Sequence, residues 1–416
     1  MSGRQSSIGR DGLQRRPAPL HRVTTAHDSP AEQAAWLARN AVDCLPEGAL
    51  AAKLALGRPL VVKLGIDPTA PDIHLGFTVV LQKLREFQDL GHTVVLIVGD
   101  YTARVGDPSG RDTTRPVLDP AQIDANARTF KEQALKILQP RGLEVRFNGE
   151  WLNMRADELF GLARHVTVAQ LLERDDFAKR FAEGRPISVL ELLYPLLQGY
   201  DSVAVRADVE LGGTDQKFNL LLARDIQRAY GLPEQQVILT LPLLTGTDGR
   251  RKMSKSFDNY IGVSEPPAEM YGKTLSIPDE SLALWYELLL DESPPAGLSP
   301  RDAKRALARR LVERFHGAAA AAAAEEAFDR QFIYHQAPED VPGISWPRAE
   351  GSVHLPALLA RAFGISSSEA RRVIGQGGVR VDGAPLDGGS LDLPADELDG
   401  QVIQLGKRRF VRVEIV

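Results

Sequence analysis

The chain has 416 residues, which is too many for one hydrophobic core and predicts two to four domains. Its formal net charge of -5 excludes a protein that binds nucleic acid through overall basicity, so any RNA contact has to come from local basic patches. The single cysteine, Cys44, excludes a disulfide framework and a cysteine-based zinc site, which favours a reducing, cytoplasmic location.

The N-terminal stretch, residues 1–32, is predicted to be a flexible tail. Residues 1–30 carry five arginines but no apolar segment of the kind found in secretory signals. An RNA-contacting arm is the alternative interpretation of this tail. Farther along the chain, no apolar run reaches membrane-spanning length, so no membrane partner is expected.

From residue 59 the pattern alternates between strands and helices. Residues 60–65 are predicted as a strand, 77–90 as a helix with apolar residues at helical spacing, and 92–99 as a buried strand. Together they form a βαβ unit and hence a parallel sheet, whose ligands bind at the carboxyl ends of the strands. The glycine patterns of dinucleotide-binding folds and of P-loop NTPases are both absent, which argues against a dehydrogenase and against a P-loop enzyme.

Two short motifs indicate phosphate chemistry. His74-Leu75-Gly76-Phe77 lies at the start of the predicted helix, where backbone N–H groups and the helix dipole favour an anion. Lys252-Met253-Ser254-Lys255-Ser256 follows a β-rich run and a turn, and its two ammonium groups are able to close over a polyphosphate. Alone, the first motif is typical of a helix cap and the second of a solvated basic turn. Together they resemble the paired signatures of the class I aminoacyl-tRNA synthetases.

Further motifs make the resemblance more specific. From about residue 33 to the C-terminus the chain resembles the bacterial tyrosyl-tRNA synthetases. The motifs that carry this resemblance are Asp67-Pro68-Thr69, Gly106-Asp107-Pro108-Ser109-Gly110, the run from Tyr194 to Asp201, and the run from Val209 to Gln216. The resemblance implies an α/β fold with a Rossmann-like, parallel-sheet nucleotide-binding catalytic domain, a helical insertion, an α-helical anticodon-side domain and a small α+β S4-type domain.

The resemblance and the local patterns together give expected boundaries. The predicted regions are a catalytic domain over 33–245, a dimer-forming insertion over about 121–188, the signature loop and linker over 246–264, a helical tRNA-binding domain over 265–345 and an S4-type domain over 352–416. Helical patterns cover 125–138, 168–181, 281–290, 301–332 and 355–363. Prolines and a glycine between 338 and 347 indicate a linker, and 378–383 begins a hairpin.

The resemblance also implies roles for individual residues. Tyrosine would be held at its ammonium by Asp107, Tyr194 and Gln198, and at its phenol by Asp201. ATP would be bound by Asp67, His74, Gly76, Phe77, Gly213, Asp215, Gln216, Met253 and Lys255. Departing pyrophosphate would be held by Thr69, His74, Lys252 and Lys255, with Arg111 and Arg115 on a loop nearby. RNA would be contacted by Arg371, Arg372, Lys407, Arg408 and Arg409.

Three positions depart from the pattern of the relatives. Lys63 occupies a strand position where many relatives place a second tyrosine against the substrate phenol, and Glu210 stands where some have glutamine. Phe77 replaces the second histidine of the four-residue motif, and we expect it to pack against ribose or adenine in an active enzyme. These departures indicate a slightly different pocket.

The implied function is a tyrosine–tRNA ligase. It would use L-tyrosine, ATP and tRNA(Tyr), would act as a homodimer, and would take Mg²⁺ with ATP, because the sequence offers no dedicated cluster of metal ligands. Two alternatives stay open. One is a paralogue that only binds RNA, as a chaperone or splicing factor; the other is a different adenylyl-forming relative, such as a tryptophan enzyme or a nucleotidyltransferase.

Overall fold

The computed structural model describes residues 29–69, 72–109, 119–333, 341–348, 351–387, 389, 391–406 and 409–416. Four predicted site residues, Arg111, Arg115, Lys407 and Arg408, lie outside the described residues, as does almost all of the predicted tail. The chain divides into two compact units. One holds the described residues up to Pro266 together with Lys273–Gly317, and the other holds Pro267–Gly272 and the described residues from Ala318 onward.

A six-stranded sheet forms the centre of the first unit. Its strands are β1 (Asp43–Leu45), β2 (Val61–Ile66), β3 (Thr93–Val98), β4 (Leu143–Phe147), β5 (Val209–Gly213) and β6 (Val237–Leu241). Their order is β1-β6-β5-β2-β3-β4; β2 to β6 run parallel and β1 pairs antiparallel with β6. The predicted parallel pairing of the first two long strands is confirmed, with Val61 opposite Thr93. Runs of Val, Leu and Ile suit such strands, which are buried on both faces.

The order of the strands creates a crevice between β2 and β5. From β2 the chain proceeds to β3 and β4 on one side, and it later returns to β5 and β6 on the other side. At such a switch point the loops after neighbouring strands diverge, which leaves room for a ligand at their carboxyl ends.

Fourteen α-helices belong wholly or partly to the first unit in the part of the chain that is described. They are α1 (Pro30–Ala38), α2 (Ala49–Leu54), α3 (Leu75–Asp89), α4 (Thr102–Val105), α5 (Pro120–Ala134), α6 (Gly149–Leu152), α7 (Ala156–Ala163), α8 (Val168–Leu171), α9 (Asp175–Ala182), α10 (Val189–Ala204), α11 (Lys217–Ala229), α12 (Pro267–Leu275), α13 (Leu282–Leu290) and α14 (Pro300–His316). Residues 267–272 of α12 are assigned to the second unit.

Three of the helical expectations were wrong in extent. The helix expected over 168–181 is two helices, because Arg174 takes an extended conformation (φ -71, ψ 127) as the N-cap of α9. The helix expected over 301–332 breaks at Gly317, whose φ of 92 favours glycine. The helix expected over 125–138 spans Pro120–Ala134 instead, because the side chain of Asp119 accepts a hydrogen bond from the N–H of Ala121 at 3.0 Å.

The second unit combines helices with a mixed sheet. Its remaining helices are α15 (Ala318–Phe332), α16 (Leu355–Phe363), α17 (Ser367–Gly375) and α18 (Ala395–Leu398). Its strands are β7 (Gly343–Trp346), β8 (Ser352–His354), β9 (Val379–Val381), β10 (Ala384–Pro385), β11 (Asp392–Pro394), β12 (Val402–Leu405) and β13 (Arg409–Ile415). Five strands follow the order β10-β9-β12-β13-β7, and β8 pairs with β11. The hairpin predicted from residue 378 is confirmed as β9 and β10, and the predicted helix over 355–363 is α16.

One stretch of the second unit, residues 343–346, forms a strand that the sequence did not predict. Residues 343–346 were expected at the end of a helical domain and in a linker, but they form β7, which pairs in parallel with β13. Ile344 and Trp346 alternate toward one face of this strand and pack against the apolar core around Leu358 and Val413. The strand is therefore part of the C-terminal sheet. Among the described residues of the whole chain, no helix is both long and apolar enough to cross a membrane.

Candidate active site

A cleft opens at the carboxyl ends of β2, β3, β5 and β6. It brings together fourteen of the residues predicted for substrate binding: Asp67, Thr69, His74, Gly76, Phe77, Asp107, Tyr194, Gln198, Asp201, Gly213, Asp215, Gln216, Lys252 and Met253. Lys255 does not line the cleft but lies on the same loop as Lys252. The grouping agrees with the switch-point position, and the role of each residue stays a prediction.

Helix α10 supplies three of these side chains from one face. The helix begins with a capping box, in which Ser188 accepts from the N–H of Leu190 and Glu191 accepts from the N–H of Ser188. Tyr194, Gln198 and Asp201 follow at i, i+4 and i+7, a spacing that places them on the same side of a helix.

Asp201 is a buried carboxylate with two fixed donors. Trp151 Nε1 donates to one oxygen at 2.8 Å, and Asn148 Nδ2 donates to the other at 3.3 Å. Burial raises the pKa of Asp201 to about 6, although the positive charge of Lys63 and the two donors oppose the rise. At neutral pH the group is therefore mostly ionised and suits a ligand hydroxyl that donates a hydrogen bond.

Asp107 is a second carboxylate, held by a dense set of donors. Ser109 donates to Oδ1 from its N–H at 2.9 Å and from its hydroxyl at 2.6 Å, and Gln216 Nε2 donates to Oδ2 at 2.9 Å. Burial alone would raise the pKa of Asp107, but the guanidinium of Arg174 and these hydrogen bonds outweigh it and keep the pKa below its usual value. Asp107 therefore carries a negative charge and suits a cationic ligand group.

Asp67 lies between these carboxylates and the end of β2. Its two oxygens accept from the hydroxyl of Tyr194 at 3.0 Å and from Thr102 Oγ1 at 2.7 Å. A Cβ atom at Gly99 would stand 2.1 Å from Asp67 Oδ1 and 2.4 Å from Thr102 Oγ1, so this contact requires glycine at position 99.

His74 is buried at the start of α3 and is uncharged at neutral pH. Burial, with the nearby charges of Lys255 and Lys252, lowers the pKa of its imidazole to about 3. Its Nδ1 is buried and has no hydrogen-bond partner among the described residues. The ring of Phe77 stands 4.5 Å away, centroid to centroid. A Cβ at Gly76 would approach Nδ1 to 3.0 Å, so a small residue there leaves room for this imidazole.

The loop with the two lysines is attached to the His74 segment by backbone hydrogen bonds. Leu75 donates to the carbonyl of Ile261 at 2.9 Å, and Val263 donates to that of Ile73 at 2.8 Å. The ammonium of Lys252 pairs with Asp215 Oδ2 at 2.6 Å. The ammonium of Lys255 donates to the backbone carbonyl of Asp72, and burial lowers the pKa of Lys255 to about 8.

Several residues of this region were missed in the sequence analysis. Asn148 and Trp151 directly follow β4, and their position at the carboxyl end of a parallel strand was a usable signal. Arg174 lies far from Asp107 in sequence, and no local pattern predicts their contact at 3.5 Å. Asn259 anchors the lysine loop by accepting from the N–H of Ser254 at 2.8 Å and donating to the carbonyl of Lys252 at 3.2 Å.

Comparison with known proteins identifies the family. The family model for tRNA synthetases class I (W and Y) matches residues 55–332. The chain is 51% identical over 400 residues to the tyrosine–tRNA ligase of Moorella thermoacetica, which covers 92% of this chain and 96% of that protein. It is 48% identical over 398 residues to the tyrosine–tRNA ligase of Thermotoga maritima, with 92% and 98% covered.

Solved structures show the same fold at low sequence identity. The tyrosyl-tRNA synthetase from Archaeoglobus fulgidus, complexed with L-tyrosine, aligns with a TM-score of 0.58 and 23% identity over 71% of this chain and 99% of that one. The enzyme from Aeropyrum pernix aligns with a TM-score of 0.57 and 21% identity over 72% and 99%. The chain therefore belongs to the class I tRNA synthetases (W and Y). Within that class its relatives of nearly full length place it among the tyrosine–tRNA ligases, which confirms the resemblance drawn from the motifs.

Proposed function

We propose that this cleft activates L-tyrosine with ATP and then transfers the tyrosyl group to the 3′-terminal adenosine of tRNA(Tyr). The carboxylate of tyrosine attacks the α-phosphorus of ATP, which forms tyrosyl-adenylate and releases pyrophosphate. A ribose hydroxyl of the tRNA then attacks the carbonyl of the adenylate and releases AMP. The observation that carries the proposal is the gathering of the predicted tyrosine and ATP residues in one cleft of a chain about half identical to tyrosine–tRNA ligases.

The proposed tyrosine subsite has one carboxylate for the phenol hydroxyl of the amino acid and another for its ammonium group. Asp201 accepts the phenol hydroxyl, while Asp107, Tyr194 and Gln198 surround the ammonium. A phenylalanine ring in this subsite would leave Asp201, which is buried, without its ligand donor. A site built to hydrogen-bond a hydroxyl rejects the analogue that lacks it, a principle for which this enzyme family is the standard example.

The proposed ATP subsite lies along β5 and the start of α3. Gly213 and Asp215 bind the ribose, Gln216 lies near the adenylate, and Asp67, Gly76, Phe77 and Met253 complete the nucleotide contacts. The substrate carboxylate is already anionic, so activation needs no protein nucleophile, and catalysis depends on positioning and charge stabilisation.

Pyrophosphate is held in this proposal by neutral donors and by cations. Thr69 and the neutral imidazole of His74 contact it, and Lys252 and Lys255 neutralise its charge. Arg111 and Arg115, which lie outside the described residues, are proposed to add to this neutralisation. Among the described residues, no cluster of three or more His, Cys, Asp or Glu side chains is arranged to hold a metal ion. In this proposal Mg²⁺ enters as part of the ATP substrate.

The second unit is proposed to bind the tRNA. Its exposed arginines include Arg371 and Arg372 on α17 and Arg409 at the start of β13, whose guanidinium lies 4.9 Å from the ring centroid of Phe363. With Lys407 and Arg408 they form the basic residues of an S4-type domain that begins at β7. The helical tRNA-binding domain of the proposal begins at residue 265, and its residues 273–317 belong to the first unit.

A homodimer that forms through the insertion is also proposed, together with a cytoplasmic location. Between residues 143 and 190 six large apolar side chains are exposed: Phe147, Phe160, Val168, Phe181, Val189 and Leu190. Apolar groups in such number favour a protein partner, and a second copy of the chain would bury them.

Aminoacylation of tRNA(Tyr) transcript tests the proposed function. The chain, ATP, Mg²⁺ and labelled tyrosine should yield acid-precipitable tyrosyl-tRNA, while labelled phenylalanine and tryptophan should not. Charging of tryptophan would assign the chain to the other branch of the family. Binding of the transcript without charging of any amino acid would favour the RNA-binding paralogue.

A further inference from the structure

A fully buried ion pair lies beside the tyrosine subsite without lining the cleft. Lys63 on β2 and Glu210 on β5 are 0% and 1% exposed, and Lys63 Nζ stands 2.7 Å from Glu210 Oε1. The two residues are direct partners in the parallel ladder between β2 and β5, so the register of the sheet places them side by side. Buried pairs of this kind contribute little net stability relative to apolar residues, so their presence calls for another explanation.

The ammonium of Lys63 is fixed by three acceptors, which matches its three N–H donors. Besides Glu210, it donates to Ser202 Oγ at 2.8 Å and to the backbone carbonyl of Gln198 at 3.1 Å. Glu210 is fixed in turn by the hydroxyl of Ser202 at 2.9 Å and by the amide of Gln236. Gln198 and Ser202 belong to the turns of α10 that carry Asp201, so Lys63 is attached to the helix on either side of that carboxylate.

The charges that face Asp201 come from few groups. Lys63 from β2 is positive and Glu210 from β5 is negative, and the first lowers the pKa of Asp201 while the second raises it. The side chains of Asn148 and Trp151 are neutral donors. Tyr194 on α10 is neutral because burial raises its pKa well above the usual value, and its hydroxyl is engaged with Asp67.

We propose that Lys63 and Glu210 are positioning residues for tyrosine selection: Lys63 anchors the Gln198–Ser202 turn and holds Asp201 as a carboxylate, and Glu210 holds Lys63 in place. This inference rests on the proposed function, in which Asp201 accepts the phenol hydroxyl. Neither residue lines the cleft. Lys63 therefore affects the binding of tyrosine through the charge and the position of Asp201. It has no corresponding effect on the binding of ATP.

The test is the pH dependence of kcat/KM for tyrosine in ATP–pyrophosphate exchange, measured on the full chain. In the wild type, kcat/KM should decrease as the pH drops through about 6, because protonation of Asp201 removes the acceptor. This decrease is called the acid limb of the pH profile. Lys63→Met should move this limb to higher pH by about one unit or more, because a neighbouring positive charge is lost. Glu210→Gln should move it to lower pH, because a negative charge is lost while the amide oxygen of glutamine still accepts the hydrogen bond from Lys63. At pH 7 we expect the KM for tyrosine to rise roughly twofold to tenfold in Lys63→Met, with the KM for ATP unchanged.

Lys83→Met is the matched control. Lys83 is also buried and paired at 2.7 Å, with Glu86, but it lies outside the cleft. This variant loses a buried ion pair yet should keep the wild-type acid limb and the wild-type KM for tyrosine. The double variant Lys63→Met/Glu210→Gln leaves no buried charge unpaired and should still show a limb above the wild-type position.

The outcomes separate this inference from the proposed function. If the wild-type chain shows no tyrosine-dependent exchange, the proposed function fails. If the wild type is active but Lys63→Met and Lys83→Met show the same pH profile and the same KM for tyrosine, the inference is overturned. Equal shifts in the same direction for Lys63→Met and Glu210→Gln would also overturn it, because they would indicate general damage to packing. If Lys63→Met does not fold, the other two variants test the inference. The acid limb should shift to lower pH in Glu210→Gln and to higher pH in the double variant, and absence of both shifts contradicts the inference.

Discussion

Single side chains in the cleft and on the adjoining lysine loop differ in charge state, and burial is the largest cause of each pKa shift. The pKa of Asp201 is raised to about 6, that of His74 is lowered to about 3 and that of Lys255 is lowered to about 8. At pH 7 the end of the cleft at Asp201 therefore presents a carboxylate. At the start of α3 the imidazole of His74 is neutral, and Lys255 on the neighbouring loop stays mostly cationic. This polarity suits an amino acid at one end and a leaving polyphosphate at the other.

Asp201→Ala should damage tyrosine recognition far more than ATP binding. The change deletes a charge-assisted hydrogen bond worth about 1.5–3 kcal/mol, so the preference for tyrosine over phenylalanine should fall by roughly tenfold to a hundredfold. The KM for ATP serves as the internal control and should change little. An unaltered preference in exchange assays would show that another group reads the hydroxyl.

Mutation of Phe77 should affect adenylate formation much less than mutation of His74. Phe77→His should change the rate of adenylate formation by about tenfold or less, because one neutral hydrogen bond is worth about 0.5–1.5 kcal/mol. His74→Ala should slow the same step by on the order of a hundredfold, because it removes a preorganised donor at the phosphate end. Pre-steady-state measurement of adenylate formation distinguishes them. A nearly silent His74→Ala, or a wild-type chain that needs Phe77→His to react, would refute the assigned roles.

At the scale of elements, the lysine loop is held by backbone pairing and by one buried side chain. Thr245 and Lys252 form a bridge, Met253 donates to the carbonyl of Leu244 at 2.8 Å, and the amide of Asn259 lies against the turn at Gly246. The loop therefore has a defined geometry next to Asp215, which Lys252 contacts. Its composition predicted a loop that binds phosphate, whereas the contact with Asn259 depends on tertiary structure.

Gly246→Ala should slow tyrosine activation by about tenfold or more while leaving equilibrium binding of tyrosine nearly unchanged. A Cβ at this position would stand 2.2 Å from Asn259 Cγ, so Asn259 or the turn has to shift, and Asn259 is the residue that anchors the lysine loop. Gly161→Ala in α7 is the control, because a Cβ there meets nothing within 4 Å. If the two variants form adenylate at the same rate, the loop geometry is not important for the reaction.

Periodicity predicted most elements but not their interruptions. Apolar spacing located α3, β2 and β3 to within a few residues, since burial of one face or of both faces leaves a period in the sequence. The break at Arg174 has a tertiary cause, because its guanidinium turns inward to Asp107 and Asn219. Strand β7 was missed because its four residues, flanked by Pro342 and Pro347, show too short an alternation to outweigh the prolines.

For the whole molecule, the motifs predicted the family and the group of residues around the cleft. They did not predict the supports of that group, namely Asn148, Trp151 and the pairing of Lys63 with Glu210. These contacts join segments at least 50 residues apart, or neighbouring strands whose register a single sequence does not reveal. The motifs identify residues that are proposed to bind substrate, while the residues that orient them depend on the assembled sheet.

Removal of the C-terminal sheet should separate activation from tRNA charging. The cut belongs before β7, because deletion from residue 352 would leave Ile344 and Trp346 without the core on which they pack. A chain that lacks 341–416 should keep tyrosine activation within a few-fold and lose most of its charging of tRNA(Tyr), since the proposed adenylate residues all precede residue 256. Circular dichroism controls for folding. Parallel loss of both activities in a folded truncation would contradict the division of roles.

The most direct test of tyrosine activation in this cleft is the exchange of labelled pyrophosphate into ATP by the purified chain, with tyrosine, phenylalanine or tryptophan as the only amino acid. Reversible adenylate formation predicts rapid exchange with tyrosine, slower exchange with phenylalanine by several orders of magnitude, and none above background with tryptophan. Absence of tyrosine-dependent exchange in the folded protein, or equal exchange with tyrosine and phenylalanine, would contradict the assignment.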